Sequence, residues 1–202
     1  IGKTSQAANQ IALSLASMTF MFAMGLSVVS MIRVSNQKGL QDYKNLVTVA
    51  RSIFLLAILI EIVFALLFVV LHQIVPPLFL DMTDTTQLLD NQEVVTIAAK
   101  LLLVAAVFQI SDGIQVVVLG ALRGLQDVKI PMYITFVAYW VIGFPISYYL
   151  GEYTDLKAVG VWIGLLAGLT SAALFLYIRF HFLTKALILQ DSLKSTQHDS
   201  TK

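Results

Sequence analysis

One acidic side chain, Asp112, lies within a long apolar segment, where residues 106–120 read AVFQISDGIQVVVLG. A carboxylate at the centre of a bilayer costs about 2.5–3.5 kcal/mol even on the lenient insertion scale, so proteins that keep one usually turn it toward an internal cavity and use it for ions or protons. On a helix, the amides of Gln109 and Gln115 lie within one turn of Asp112. Carboxylate and amide oxygens are suitable ligands for a hard cation, and a carboxyl removed from water can carry a proton instead. The pattern predicts a cation-coupling site of Asp112, Gln109 and Gln115, in which Asp112 is a metal ligand if the ion is Na⁺. The simpler alternative is an interhelical hydrogen bond that only fixes packing.

A second carboxyl group, Glu61, lies near the middle of another apolar segment, between Ile60 and Ile62. No other polar side chain follows it in that segment until His72. The sequence leaves two interpretations open. Glu61 is either a second protonatable group or a neutral carboxylic acid that is hydrogen-bonded to a neighbouring helix.

Residues 130–150 hold candidates for helix bending and for substrate contact. Pro145 removes a backbone donor and frees the carbonyl of Val141, so together with Gly143 it predicts a helix kink, either a hinge or a static bend. Tyr139 is the candidate for a substrate cavity, because aromatic ring faces attract organic cations.

Motifs of other chemistries are absent from the sequence. There is no cysteine, which excludes disulfides, thiolate metal sites and cysteine nucleophiles. The histidines at 72, 181 and 198 are scattered, and no His-Glu-x-x-His, Gly-x-Ser-x-Gly or phosphate-binding Gly-Lys-Ser/Thr pattern occurs. The net charge of +1 does not indicate a nucleic-acid partner. The sequence therefore predicts neither an enzyme nor an ATP-driven pump, and it predicts no cofactor apart from a coupling ion.

The composition is that of a membrane protein with several helices. Hydrophobic residues make up 58% of the chain, charged residues 12%, and the mean hydropathy is +0.83, whereas soluble domains are about 45–50% apolar. A bilayer span needs about 20 apolar residues. Five segments meet this length, and they are predicted at 11–32, 52–75, 94–122, 130–150 and 158–182. Residues 186–202, rich in Ser, Thr, Lys and Asp, are predicted to form a disordered tail.

The basic residues predict the orientation, because cytoplasmic loops carry an excess of Lys and Arg. With five spans, three basic residues fall on one side of the membrane: Lys3, Lys100 and Lys157. Ten fall on the other: Arg33, Lys38, Lys44, Arg51, Arg123, Lys129, Arg179, Lys185, Lys194 and Lys202. This predicts a multi-pass protein of the cell (inner) membrane with a cytoplasmic C-terminus and Ile1 outside. We therefore expect at least one further helix before Ile1, and hence a longer parent chain.

Several segments together resemble one transporter family. They are Gly120-Ala-Leu-Arg-Gly-Leu-Gln-Asp127, Pro131, Ala138-Tyr-Trp140, Gly143-Phe-Pro145, and Ala7-Ala-Asn-Gln-Ile-Ala12 leading to Arg33-Val34. Their order and spacing resemble the multidrug and toxic compound extrusion (MATE) transporters, in particular the NorM-like branch. The resemblance covers residues 1 to about 185.

The resemblance implies an all-α membrane protein in which residues 1–185 form five transmembrane helices of the C-terminal six-helix lobe of a twelve-helix transporter. The activity it implies is secondary antiport by alternating access, with cationic or amphipathic organic compounds exported in exchange for Na⁺ or H⁺. Its partners would be these compounds, the lipid bilayer and the N-terminal lobe of the same chain. Asp112 matches the acidic residue of the family's tenth helix that is implicated in cation coupling. One departure is Phe108, because NorM-type relatives often have Tyr one turn before this Asp.

Two rival interpretations remain. A flippase for lipid-linked oligosaccharide precursors shares the wider superfamily, but it should have cationic side chains inside its cavity for a pyrophosphate. The basic residues within the predicted spans are Lys100 and Arg179, each near an end. A non-catalytic membrane subunit is the other rival, and it should tolerate Asp112→Asn with little consequence.

Overall fold

The computed structural model describes the backbone of residues 3–80 and 88–199, and the side chains of residues 3–80 and 90–193. Within these ranges the chain is helical and has no strand. The α-helices are α1 (Lys3–Gly39), α2 (Tyr43–Leu71), α3 (Leu88–Gly124), α4 (Lys129–Val137), α5 (Phe144–Glu152) and α6 (Lys157–Asp199). A 3₁₀ turn, Pro76–Phe79, follows α2, and a π-helical turn, Ala138–Gly143, joins α4 to α5.

Five helical units are long and apolar enough to cross a membrane, which confirms the predicted number of spans. The fourth unit is the continuous stretch Lys129–Glu152, made of α4, the π turn and α5. Several helices extend past the predicted spans. The 37 residues of α1 correspond to about 55 Å at 1.5 Å per residue, well beyond a hydrocarbon core of about 30 Å. The chain is a multi-pass membrane protein.

Helix α3 lies at the centre of the bundle and packs against α1, α2 and α6. One apolar core, which includes Leu46, Phe54 and Leu122, lies toward the predicted cytoplasmic end. A second, which includes Leu101 and Trp162, lies toward the other end. The polar residues in the middle of α3 therefore lie between two apolar layers.

The contact between α1 and α3 depends on small residues. A Cβ atom at Gly120 would overlap Ser27, and one at Gly124 would lie 2.5 Å from the backbone oxygen of Met31. The Ser27 hydroxyl donates a hydrogen bond to the Val116 carbonyl at 2.8 Å. Lipid supplies no hydrophobic force between helices, so such close approaches and hydrogen bonds provide the association energy.

The glycines at 160, 164 and 168 form the equivalent contact between α6 and the fourth unit. A Cβ at Gly160 would lie 2.5 Å from the Leu150 carbonyl oxygen, and one at Gly168 would lie 3.0 Å from the Cα of Gly143. At Gly164 an added Cβ would overlap the backbone and side chain of Ser147. The spacing of four residues therefore serves packing within this bundle.

The structure differs from the sequence predictions at two places. The sequence predicts a disordered tail at 186–202; α6 is helical through Asp199, and residues 200–202 lie outside the described residues. No Gly or Pro occurs after Gly168 to end the helix, which explains the continuation. Helix α2 ends at Leu71, before the predicted end of its span at 75, and Pro76 begins the 3₁₀ turn.

Candidate functional site

Five polar residues from three parts of the bundle form the candidate site, here called the polar cluster. Helix α2 contributes Glu61, helix α3 contributes Gln109, Asp112 and Gln115, and the π turn contributes Tyr139. Because α3 is central, its polar residues can meet partners on both neighbours at once.

Asp112 occupies the middle of the polar cluster. Its side chain is partly exposed, and among the described residues no donor forms a hydrogen bond with it. Gly113, the next residue along α3, packs against Glu61, and Gln115, three residues on, accepts a hydrogen bond from Tyr139. Asp112 is therefore a partly exposed carboxyl group on the stretch of α3 that also contacts Glu61 and Tyr139.

Gln115 and Tyr139 connect α3 to the π turn. The Tyr139 hydroxyl donates a hydrogen bond to Oε1 of Gln115 at 2.6 Å, and Gln115 is only 7% exposed. A π turn widens the helix and often occurs at functional sites. It replaces regular α-helix just before Pro145, at the place where Gly143 and Pro145 predict a kink.

Gln109 faces α2, as does Gly113. The Gln109 Nε2 atom donates to the backbone oxygen of Glu61 at 3.5 Å. Glu61 itself is 2% exposed, and its side chain packs directly against Gly113. The three predicted coupling residues therefore lie on one stretch of α3 but do not all face the same neighbour. Gln109 faces α2, and Gln115 faces Tyr139.

Another face of this stretch of α3 packs against α6. The sequence did not predict these contacts. The Ser111 hydroxyl is 3.0 Å from that of Thr170, and the ring of Phe108 packs against Trp162 with a centroid distance of 5.2 Å. Trp162 in turn donates from Nε1 to Oδ1 of Asn9 at 2.9 Å. Phe108 is thus part of an aromatic packing contact.

No group of three His, Asp or Glu side chains that could hold a metal ion occurs in the described part of the chain. Asp112 and Glu61 are the two carboxyl groups of the polar cluster. An ion bound by Asp112 would therefore need amide, hydroxyl, backbone or water oxygens to complete its coordination. Gln115 and Tyr139 carry an amide and a hydroxyl oxygen in the same cluster.

A cavity of about 470 Å³ borders the polar cluster at Tyr139. Its other lining residues come from the fourth unit and α6, and they include Trp140, Phe144, Ser147 and Tyr148. Exposed rings form a row along the fourth unit: Phe136–Trp140, Trp140–Phe144 and Phe144–Tyr148 have centroid distances of 6.2, 5.8 and 6.5 Å. Tyr139 thus joins an aromatic-lined cavity to the residues around Asp112.

A second set of polar contacts lies at the end of α3 near residue 124, away from the polar cluster. Arg179 forms an ion pair with Asp127 at 2.8 Å. Lys38 donates from Nζ to the backbone oxygen of Leu125 at 2.8 Å and lies 3.2 Å from Oε1 of Gln126. These contacts tie α1 and α6 to the turn after α3.

Comparison with known proteins identifies relatives for most of the chain. Residues 1–149 match the MatE family. The chain is 44% identical over 187 residues to "Probable multidrug resistance protein NorM" of Rhodopseudomonas palustris (strain ATCC BAA-98 / CGA009), an alignment that covers 90% of this chain and 37% of that protein. It is 37% identical to the protein of the same name from Agrobacterium fabrum (strain C58 / ATCC 33970), covering 92% and 39%. The chain thus spans less than half the length of these relatives.

Solved structures share the fold. The eukaryotic MATE transporter AtDTX14 superposes with a TM-score of 0.77 at 20% identity, over 88% of this chain and 38% of that one. The crystal structure of a MATE mutant protein superposes with a TM-score of 0.79 at 18% identity, over 92% and 39%. The five-helix arrangement is therefore that of part of a MATE transporter, as the resemblance in sequence implied.

Proposed function

This chain belongs to the MatE family, and we propose on that basis that it works as part of a secondary transporter that exports cationic or amphipathic organic compounds in exchange for Na⁺ or H⁺. The names of its NorM relatives support multidrug export. The observation that carries the proposal is Asp112, a partly exposed carboxylate in the centre of the bundle with no hydrogen-bond donor among the described residues. The function proposed is transport, not catalysis.

The mechanism would be alternating access, in which this bundle moves against an N-terminal lobe around a central cavity. Asp112 binds the incoming cation in one state and loses it in the other. Coupling requires that the cation bind the two states with different affinities, since equal binding shifts no equilibrium.

Gln115 and Gln109 would act as the amide ligands of this site. Gln115 accepts the Tyr139 hydroxyl through Oε1, and an amide oxygen has a second lone pair that can face an ion. Gln109 has a buried Oε1 without a hydrogen-bond partner in the described part of the chain. Phe108 offers no ligand atom, so a sodium ion would need water or another oxygen in its place. A proton would bind Asp112 directly and would need no further ligand.

Tyr139 would link the coupling site to the bound compound. Its hydroxyl bonds Gln115 and its side chain lines the 470 Å³ cavity, where aromatic faces can attract an organic cation. Binding of the coupling ion would neutralise Asp112 and so weaken the attraction of this site for the organic cation.

In the same scheme, Gly143 and Pro145, at the end of the π turn, would let the fourth unit bend between the two states.

The chain would lie in the cell (inner) membrane with its C-terminus in the cytoplasm, as the basic residues predict. A lipid-linked oligosaccharide flippase is the rival within the superfamily. The polar cluster contains no cationic side chain within the described residues, Lys100 is exposed, and Arg179 is paired with Asp127. No basic side chain among the described residues of the polar cluster is therefore placed to bind the pyrophosphate of such a substrate.

The test is export by the full-length protein in proteoliposomes, with ethidium as the fluorescent organic cation and with sodium and proton gradients imposed separately. We expect wild-type protein to export ethidium under at least one gradient, which identifies the coupling ion. Asp112→Asn should reduce gradient-driven export to the level of empty vesicles. Asp155→Asn is the matched control, because it makes the same chemical change at an exposed position between α5 and α6.

Normal export by Asp112→Asn would contradict the coupling role and support a non-catalytic membrane subunit or a coupling group elsewhere. No export by the wild type under either gradient would contradict drug antiport, and a lipid-flipping assay would follow.

A further inference from the structure

A cavity of about 390 Å³ lies between the end of α2 and the first part of α3, and the proposed transport mechanism does not use it. Its polar lining residues are His72, Gln73, Thr96 and Lys100. Its apolar wall includes Leu103. Lys100 is twelve residues from Asp112, which is about 18 Å along the axis of α3 and 120° around it. The cavity is therefore separate from the polar cluster.

The charge of Lys100 is not neutralised within the described part of the chain. Its side chain is exposed, and it forms neither an ion pair nor a hydrogen bond with a described residue. Glu93 lies two helical turns before Lys100, about 10 Å away along the axis, and forms no ion pair with it. An anion in the cavity can therefore pair with Lys100.

The other polar side chains of the cavity add hydrogen-bonding groups. The His72 Nδ1 atom lies 2.7 Å from the carbonyl oxygen of Val69. Because that oxygen can only accept, Nδ1 carries the hydrogen, and Nε2 of the neutral ring is an acceptor. The Thr96 hydroxyl donates to the Gln92 carbonyl at 2.9 Å, so it too presents an acceptor. The Gln73 amide has both donors and an acceptor. The cavity thus suits a ligand that combines negative charge with polar groups of both kinds.

An exposed apolar strip begins at this cavity. Lys100, Leu103 and Val107 share one face of α3, and Leu103 and Val107 are exposed. Leu66 and Val69 of α2, within two turns of His72, are exposed as well. His72 directly follows Leu71, the last residue of the apolar helix α2. The polar lining therefore lies at the level where the apolar part of α2 ends, which is the level of lipid headgroups, and the strip lies at the level of acyl chains.

We propose that this cavity binds the headgroup of an anionic phospholipid, with the phosphate paired to Lys100 and an acyl chain along Leu103 and Val107. A soluble anion would pair with Lys100 but leave the apolar strip uncovered. A zwitterionic lipid would cover the strip but bring its own positive charge toward Lys100. An anionic lipid meets both requirements, and it bridges the end of α2 to α3.

Native mass spectrometry of the full-length protein tests this inference. It measures the apparent Kd for phosphatidylglycerol, whose headgroup hydroxyls can donate to the acceptors of the cavity, and for phosphatidylcholine with the same acyl chains. We expect phosphatidylglycerol to bind more tightly. Lys100→Gln should weaken its binding about fivefold, the effect of one lysine near an anionic lipid surface, and leave phosphatidylcholine binding unchanged.

Two further variants are the controls. Lys100→Arg keeps the charge and should retain the preference for phosphatidylglycerol. Lys157→Gln makes the same change as Lys100→Gln at another exposed lysine on the same predicted side, outside the cavity, and should bind as the wild type does. Lys100 is exposed, so its substitution leaves the packed core of the bundle intact.

Equal affinity of wild type and Lys100→Gln for phosphatidylglycerol would overturn the proposal, as would an equal loss in Lys157→Gln. Binding of glycerol 3-phosphate, which has no acyl chain, as tightly as the lipid would overturn it in favour of a soluble anion. The measurement uses no ion gradient and no export, so its failure is distinct from a failure of the proposed transport function.

Discussion

At the scale of single residues, polar side chains that are close together in the sequence of α3 contact different neighbouring elements. Gln109 and Gln115 flank Asp112 on one helix, yet they contact α2 and the π turn respectively. The reason is the 100° rotation per residue of an α-helix, which places positions 109 and 115 on different sides of α3. A central helix with polar side chains on both sides can pass a change at Asp112 to two neighbouring elements.

Tyr139 offers a test of this link, because its ring and its hydroxyl have different roles. Tyr139→Phe keeps the ring face but leaves buried Gln115 without its donor, so we expect a loss of about 1 kcal/mol in stability and little change in the KM for ethidium. Tyr139→Leu removes the ring and should raise the KM several-fold through loss of the cation–π contact. Transport kinetics and thermal unfolding of both variants measure this. An equal KM for both would show that the ring does not contact the substrate.

At the scale of elements, glycines determine how closely the helices approach. Gly120 and Gly124 lie against α1, Gly113 lies against Glu61, and Gly164 lies against Ser147. In lipid, where apolar side chains gain nothing by leaving the solvent, this close packing and its hydrogen bonds replace the hydrophobic effect as the source of association.

Two glycine substitutions test this packing. Gly164→Ala would force its methyl group into Ser147, and we expect a destabilisation of about 1–3 kcal/mol from overpacking. Gly25→Ala is the matched control, because an added Cβ meets nothing within 4 Å and alanine favours the helix by about 1 kcal/mol. Thermal unfolding in detergent compares them. An unchanged midpoint for Gly164→Ala would show that α5 and α6 can separate without cost.

At the scale of the whole molecule, the predicted orientation places opposite ends of the bundle in different compartments. The end with the ten basic residues includes the turn after α3, where Lys38 and Arg179 also hold α1 and α6 together. The same positive charges would therefore both orient the chain in the membrane and close the bundle on its cytoplasmic side.

Cysteine labelling tests the orientation directly, because the chain has no cysteine of its own. Val128→Cys lies between α3 and α4, and Asp155→Cys lies between α5 and α6, both at exposed positions. We expect a membrane-impermeant maleimide to label Asp155→Cys in intact spheroplasts and to label Val128→Cys only after permeabilisation. The reverse pattern would place the C-terminus outside.

The sequence by itself determined the number of spans and the family, and it singled out Asp112 as the candidate coupling residue. Hydropathy adds up segment by segment, so each span and each buried charge can be recognised without knowledge of its neighbours. The same local reasoning did not predict that α6 extends to Asp199, because polar composition suggested disorder from residue 186 onward, whereas no helix-breaking residue interrupts α6 before Asp199.

Only the tertiary structure decided which polar groups meet. Glu61 and Gln109 are 48 residues apart, and Tyr139 and Gln115 are 24 apart, so no local pattern connects them. Their contact depends on how each helix is rotated and how closely it approaches α3, which small residues such as Gly113 determine. Glu61 therefore remained ambiguous in the sequence, and its enclosure beside Gln109 and Asp112 became evident when the helices were packed.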